Sequence, residues 1–292
     1  MRIETGIPTL DNALSGGLLP GTLTVVMGAT GIGKTQLGLQ FANHGLKQEG
    51  QRGIIYDMTS RGDSQNHTDY AKRLCDWNLT ALNGDEPFQF DSVWNSETAR
   101  RDYLHIFSRG GRRVTLSDLT HDQWREFKAD LARRLDRTIG FFYGNFVHGV
   151  RRCVIDGIEP TDRMSDSFQI EQCEYIYEQV LKKEHDWLAR DLFRVHYRTN
   201  AAAVQNHAYD NKSIAGLLLY TTHETMLDQL IERPIQSGDL LSNANTVILM
   251  GKTRHENKVS RGLHVAKHRG SPCSDDILDF AISEAGIEFT AA

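Results

Sequence analysis

Short apolar runs rich in β-branched residues recur along the chain, separated by stretches of helical character. Thr22–Met27, Gly53–Met58, Arg152–Asp156 and Gly216–Thr222 have the length and composition of strands buried in a sheet. After Thr35, the residues Leu37, Leu39 and Phe41 supply an apolar helical face, and Gly45 is the expected stop. Strands that alternate with helices predict a parallel sheet with crossover helices. The last quarter changes character. Thr246–Met250, Leu263–His268 and Ile277–Ile282 are joined by short polar turns such as Arg254-His255-Glu256-Asn257, which predicts antiparallel additions.

The stretch between Asp57 and Asp156 is too long for one crossover helix. Thr120 and Gln123 form a capping box, and Trp124, Phe127, Leu131 and Leu135 then repeat at helical spacing to about Ile139. These side chains read as core, with base stacking or partner binding as the alternative. A second helical pattern runs from Ile170 through Cys173, Tyr177, Val180 and Leu181 to Leu188. Its Glu171, Glu174, Glu178, Lys182 and Lys183 form a solvated outer face. Arg109-Gly110-Gly111-Arg112-Arg113 reads as a basic loop. The expected organisation is one α/β domain over residues 1–292 with a helical insertion at about 85–148. No repeat or Pro/Gly/Ser-rich linker divides it.

Composition narrows the class of partner. Hydrophobic residues make up 39% and charged residues 24% of the 292, as in ordinary globular proteins. A net charge of −5 argues against a surface built throughout for nucleic acid. No apolar run approaches the roughly 18 to 20 residues that span a bilayer. Met1-Arg2-Ile3-Glu4-Thr5-Gly6 lacks the apolar core of a signal peptide, so a cytoplasmic protein is expected. The four cysteines are scattered without a C-x-x-C pair and read as free thiols. Among the twelve histidines no metal-ligand spacing stands out.

Gly28-Ala29-Thr30-Gly31-Ile32-Gly33-Lys34-Thr35 carries the chemistry. It fits G-x-x-x-x-G-K-[ST] at every fixed position, between a strand and a helix, as a phosphate-binding loop requires. Backbone amides of Thr30, Gly31, Ile32 and Gly33, with the helix amino end, would face phosphate oxygens. Lys34 adds a full charge, and the Thr35 hydroxyl suits Mg2+. A nucleoside triphosphate, ATP, with Mg2+ is the expected ligand. Cys153-Val154-Ile155-Asp156 is an apolar run ending in a carboxylate, the Walker B arrangement, which makes Asp156 a second metal residue. The alternative is an Asp that starts the turn before Gly157. Hydrolysis also needs a group that orients or deprotonates water. Asp57, at the end of its strand, is the candidate, with Glu159 a weaker option; the alternative for Asp57 is a cap before Thr59-Ser60.

Thr5-Gly6-Ile7-Pro8-Thr9-Leu10-Asp11, Ser15-Gly16-Gly17-Leu18 and Pro20-Gly21, followed by the phosphate loop, resemble the opening of the RecA/KaiC superfamily. Thr221-Thr222-His223-Glu224 resembles its T-T-E strand end. Arg261 to Ser271 resembles its R-x-L-x-[VI]-x-K-x-R-G-[ST] stretch, and Phe280 to Ile287 also follows the KaiC pattern. The resemblance spans roughly residues 5–85 and 150–290; residues 83–149 show no counterpart. It implies a RecA-like fold and a homo-oligomer, a hexameric ring with nucleotide between subunits. It further implies that Lys267 and Arg269 act on the neighbour's γ-phosphate, that Ser271 lines that site, and that Thr222 and Glu224 sense the γ-phosphate. The chain departs where the family has adjacent glutamates: here stand Asp57 and Met58. The expected function is a Mg2+-dependent ATPase. Alternatives are a Ser/Thr autokinase, a nucleotide-gated signalling or defence scaffold with little turnover, and a recombinase paralogue. The insertion is the expected place for a protein partner.

Overall fold

The computed structural model describes residues 1–59, 67–82, 89–106, 119–159, 168–233 and 240–290. The chain opens with α1 (Pro8–Ala13), then β1 (Leu23–Gly28), α2 (Lys34–Gln48) and β2 (Ile54–Asp57). Next come α3 (His67–Cys75), β3 (Ala81–Leu82), α4 (Ser96–Ala99), β4 (Tyr103–His105), α5 (His121–Arg133) and α6 (Leu135–Val147). Then follow β5 (Arg152–Ile158), α7 (Phe168–Ile176), α8 (His185–Phe193), α9 (Tyr197–Asn206) and β6 (Ala215–Thr221). The last elements are α10 (Leu227–Glu232), α11 (Leu240–Asn243), β7 (Thr246–His255), β8 (Lys258–His268), β9 (Ile277–Ser283) and β10 (Gly286–Phe289).

The described strands form a single sheet in the order β10-β9-β8-β7-β1-β6-β5-β2-β4-β3. From β7 through β3 every pairing is parallel; β8, β9 and β10 add antiparallel. The run Thr246–Met250, expected as antiparallel, therefore lies parallel to β1. An apolar strand has the same side-chain period in either orientation, so only the partner decides it. β7 and β8 also run on past their apolar cores. His255 pairs with Lys258 across Glu256-Asn257, with Glu256 at φ 50°, so the expected four-residue turn tightens to two.

Alternation along the strands sorts residues to two cores, which yields a helix–sheet–helix sandwich. Val25, Tyr56, Met58, Cys153 and Ile155 face α6, α7 and α8. Val26, Ile55, Val154, Leu217 and Leu219 face α1 and α2, with Ala71 of α3. Asp57 and Asp156 follow Ile55 and Val154 by two residues, so they emerge on the α2 and α3 face.

The helical expectations hold in their buried faces more than in their ends. The Thr120–Gln123 box forms, with Thr120 N–H donating to Gln123 Oε1 at 3.0 Å. Its helix breaks at Arg134 and α6 continues to Val147. Trp124 and Leu135 pack against the core; the Phe127 and Leu131 side chains lie outside the described residues. Ile170, Cys173, Tyr177, Val180, Leu181 and Leu188 are all buried, although the helix is interrupted between Leu181 and His185. Gly45 does not stop α2, which runs on to Gln48. The Gln51 carbonyl oxygen would lie 2.5 Å from a Cβ there, so close approach explains that glycine. The segment expected as a helical insertion also contributes β4 to the sheet. Arg109–Arg113 lies outside the described residues.

Candidate functional site

β1 ends at Gly28 and the loop that follows turns through Gly31 (φ 78°) and Gly33 (φ 121°), backbone angles that a side chain disfavours. The loop delivers Lys34 as the first residue of α2. Its ammonium donates to the carbonyls of Gly28 (2.8 Å) and Ala29 (3.0 Å). Burial dominates this lysine and pushes it down to about 8, against the opposing pull of Asp156. A buried ammonium whose hydrogen bonds, among the described residues, go to neutral carbonyls is suited to a multiply charged anion.

Thr35 Oγ1 donates to Asp156 Oδ2 at 2.9 Å, joining the start of α2 to β5. Asp156 lies directly across the parallel ladder from Asp57 on β2, so two carboxylates stand side by side at the strand ends. Both are nearly inaccessible, at 5% and 3% exposure. Such a pair requires positive charge between its members, and His67, the first residue of α3, supplies it. Its Nε2 lies 2.9 Å from Asp156 Oδ2 and its Nδ1 3.3 Å from Asp57 Oδ2. Burial would favour the neutral ring, but the two carboxylates outweigh it and push His67 up to about 10. Burial likewise opposes the Asp57 anion; His67, with His105 and Tyr103, reverses that and holds Asp57 well below the usual carboxylate range.

Asp57 is fully engaged. Thr59 N–H donates to its Oδ1 at 2.8 Å, and the Tyr103 hydroxyl and His67 converge on Oδ2. The capping alternative for Asp57 is thus realised alongside its place in the site. Two neighbouring positions lack carboxylates for packing reasons. Met58 is fully buried in the opposite core, on the far face of β2. Gly157 takes φ 102°, and a Cβ there would sit 2.3 Å from Thr59 N.

Thr222 follows β6 and its N–H donates to the Gly28 carbonyl at 3.1 Å, which sets it beside the loop. Its hydroxyl donates to the carbonyl of Glu224, two residues on. Lys267, Arg269 and Ser271 are elsewhere. Lys267 pairs with Val247, which is level with Val25, and Arg269 N–H bonds Asn245, whose N–H bonds Leu23. Lys267 therefore lies level with the middle of β1, and Arg269 at the end of the strand opposite Gly28. The Lys267 ammonium donates to the carbonyls of Leu241 and Ser242, both at 3.0 Å, and Arg269 donates to Ser242. Ser271 accepts a hydrogen bond from Arg2. His67 and Tyr103 were not legible in the sequence; the only available signal was that adjacent carboxylates demand a partner.

Thr35 Oγ1 and Asp156 Oδ2 are hard oxygen donors in contact at 2.9 Å, at the start of α2 beside the phosphate loop. That donor set fits Mg2+.

Residues 3–172 match the family described as "ATPase: KaiC". The match runs through residues 83–149, for which the motifs offered no counterpart, and it ends before Lys267. The circadian clock protein KaiC2 of Synechocystis is 28% identical over 118 residues, 38% of this chain and 20% of that protein. The aligned part thus spans about a fifth of that relative's length. Among the described residues no helix is long and apolar enough to cross a membrane. The family match covers more than half of the chain, and the chain belongs to the KaiC-like ATPases of the RecA superfamily.

Proposed function

We propose that this chain is a Mg2+-dependent ATPase that completes each site between two subunits of a ring. The observation that carries this reading is the convergence of the Lys34 ammonium, the Thr35 hydroxyl and the Asp156 carboxylate at the end of β1 and β5. Lys34 and the amides of Thr30 to Thr35 bind the phosphates. Thr35 and Asp156 would hold the metal, which would supply positive charge to offset that of the phosphates. In hydrolysis a water oxygen bonds to the γ-phosphorus and the bond to the bridging oxygen breaks, releasing ADP. Asp57 is the group that takes the water's proton. Thr222 and Glu224 sense the γ-phosphate from beside Gly28. Lys267, Arg269 and Ser271, remote from their own loop, complete the neighbour's site, which supports a ring.

The test is mass photometry with phosphate release, on the wild type and on Lys34→Ala, with and without ATP and Mg2+. ATP-dependent rings with turnover that Lys34→Ala abolishes are expected; a monomer in every condition refutes the shared site. One observation favours a second reading, a nucleotide-gated scaffold with little turnover: both carboxylate oxygens of Asp57 already accept hydrogen bonds from within the protein. Assembly without phosphate release selects that reading, and covalent label from γ-labelled ATP selects autokinase activity.

A further inference from the structure

We propose that His67 is a positioning residue that clasps Asp57 to Asp156 in the nucleotide-free protein and leaves Asp156 for Asp57 alone when Mg2+ and nucleotide enter. The inference rests on the reading above that Thr35 and Asp156 form the metal seat.

Three features of the geometry carry it. Asp156 Oδ2, the oxygen in contact with Thr35, accepts from both Thr35 and His67 at 2.9 Å, so the oxygen the metal needs is already shared by two donors. His67 is 7% exposed and its ring packs against Tyr103 at 5.6 Å between centroids, so it is held in place rather than free to swing into solvent. Its second contact, Nδ1 to Asp57 at 3.3 Å, is the longer of the two and can shorten once Nε2 is freed. After that exchange Asp57 keeps Tyr103 and His67 as its two orienting donors on Oδ2. A carboxylate that must address one water needs its rotamer fixed, and Met58, buried in the opposite core, does not share the task.

The clasp makes His67 a competitor for the metal and a support for Asp57, two effects of opposite sign. A fluorescent ATP analogue titrated in Mg2+ and in EDTA separates them. Wild type, His67→Ala, the bulkier His67→Gln and Asp156→Asn are compared, with thermal melting of each nucleotide-free protein. In His67→Ala the ratio of the EDTA dissociation constant to the Mg2+ one should rise about tenfold, because one charge-assisted hydrogen bond to Asp156 no longer has to break. Its nucleotide-free melting temperature should fall, and its kcat should drop at least tenfold. His67→Gln, which donates to only one carboxylate, should lie between. An unchanged Mg2+ ratio in both His67 variants overturns the clasp. If Asp156→Asn binds with an undiminished Mg2+ ratio, the metal seat itself is refuted. Should His67→Ala fail to fold, the His67→Gln ratio decides alone, and a value equal to wild type counts against the proposal.

Discussion

If Lys267 and Arg269 act in trans, two inactive variants should restore each other. Arg269 is tied through Asn245 to Leu23, five residues before Gly28 on β1. At about 3.3 Å per residue that is roughly 16 Å along the strand, and an intervening β7 adds about 4.8 Å for each ladder crossed. No side-chain rotation closes such a gap in the same subunit. The perturbation is therefore a mixture. Lys34→Ala loses the phosphate anchor, and Arg269→Ala loses the remote cation, which as an arginine finger is worth on the order of a thousandfold in kcat. Arg269 is exposed, so its removal should leave the fold and the Lys34 site intact. Mixed one to one and reassembled at random, about half of the subunits present an intact loop and about half of their neighbours an intact Arg269. About a quarter of the interfaces are then complete, and phosphate release should return to about a quarter of wild type. A mixture no more active than the sum of its parts refutes trans completion, as does an Arg269→Ala protein with full activity alone.

Other expectations follow from single contacts. Arg152 is fully buried at the start of β5, paired with Glu49 at 2.8 Å and donating to the carbonyls of Glu4 and Phe41. Arg152→Leu strands these partners and should cost about 3 kcal/mol, read by urea melts; a loss below about 1 kcal/mol contradicts the account. Lys34 is pushed down to about 8 from an ordinary value of 10.5. Between those values the unfolded chain holds a proton that the folded one has shed, so nucleotide-free stability should rise with pH through this window. ATP affinity should fall over the same range, since only the ammonium pairs with phosphate. Calorimetry at pH 7 and pH 9 checks both, and a Lys34→Met protein should show neither slope. Gly157→Ala should cost at least about 2 kcal/mol and displace Thr59 from Asp57, because the added carbon meets Thr59 N at 2.3 Å with φ at 102°. Native stability and activity in that variant would show that the two segments do not cross so closely.

How much of this was legible depends on whether the information is local. The phosphate loop reads directly from sequence because its strand, turn and helix are contiguous and its glycines have fixed backbone tasks. Asp156 reads nearly as well, as the end of an apolar run. The parallel placement of β7 does not, since Thr246–Met250 has one hydrophobic period whichever way its partner runs. β4 was hidden for a different reason. Three residues, Tyr103–His105, are too few to show a period, yet they pair with β2 and bring Tyr103 to Asp57. His67 needed two non-local facts at once, the adjacency of β2 with β5 and the docking of α3 on α2. The remote position of Lys267 and Arg269 follows only from the β8–β7–β1 register, although their motif was plain in the sequence.

The departure from the family pattern at Asp57-Met58 and the glycine at position 157 form one arrangement rather than separate features. The backbone of Met58 and Thr59 crosses directly over Gly157, leaving no room for a side chain there. Met58 N–H donates to the Asp156 carbonyl at 2.8 Å, which closes the Asp57–Asp156 rung, the last of the β2–β5 ladder. That last rung holds the strand's alternation through Asp57, so position 58 points into the core among residues such as Tyr56 and Phe142. A carboxylate at position 58 would then be buried without a partner at a cost of several kcal/mol, and methionine is the side chain this geometry accepts. The same rung brings Asp57 and Asp156 into register, and their proximity is what makes His67 necessary. Replacing Met58 with Glu should therefore destabilise the chain rather than restore a second acid to the site.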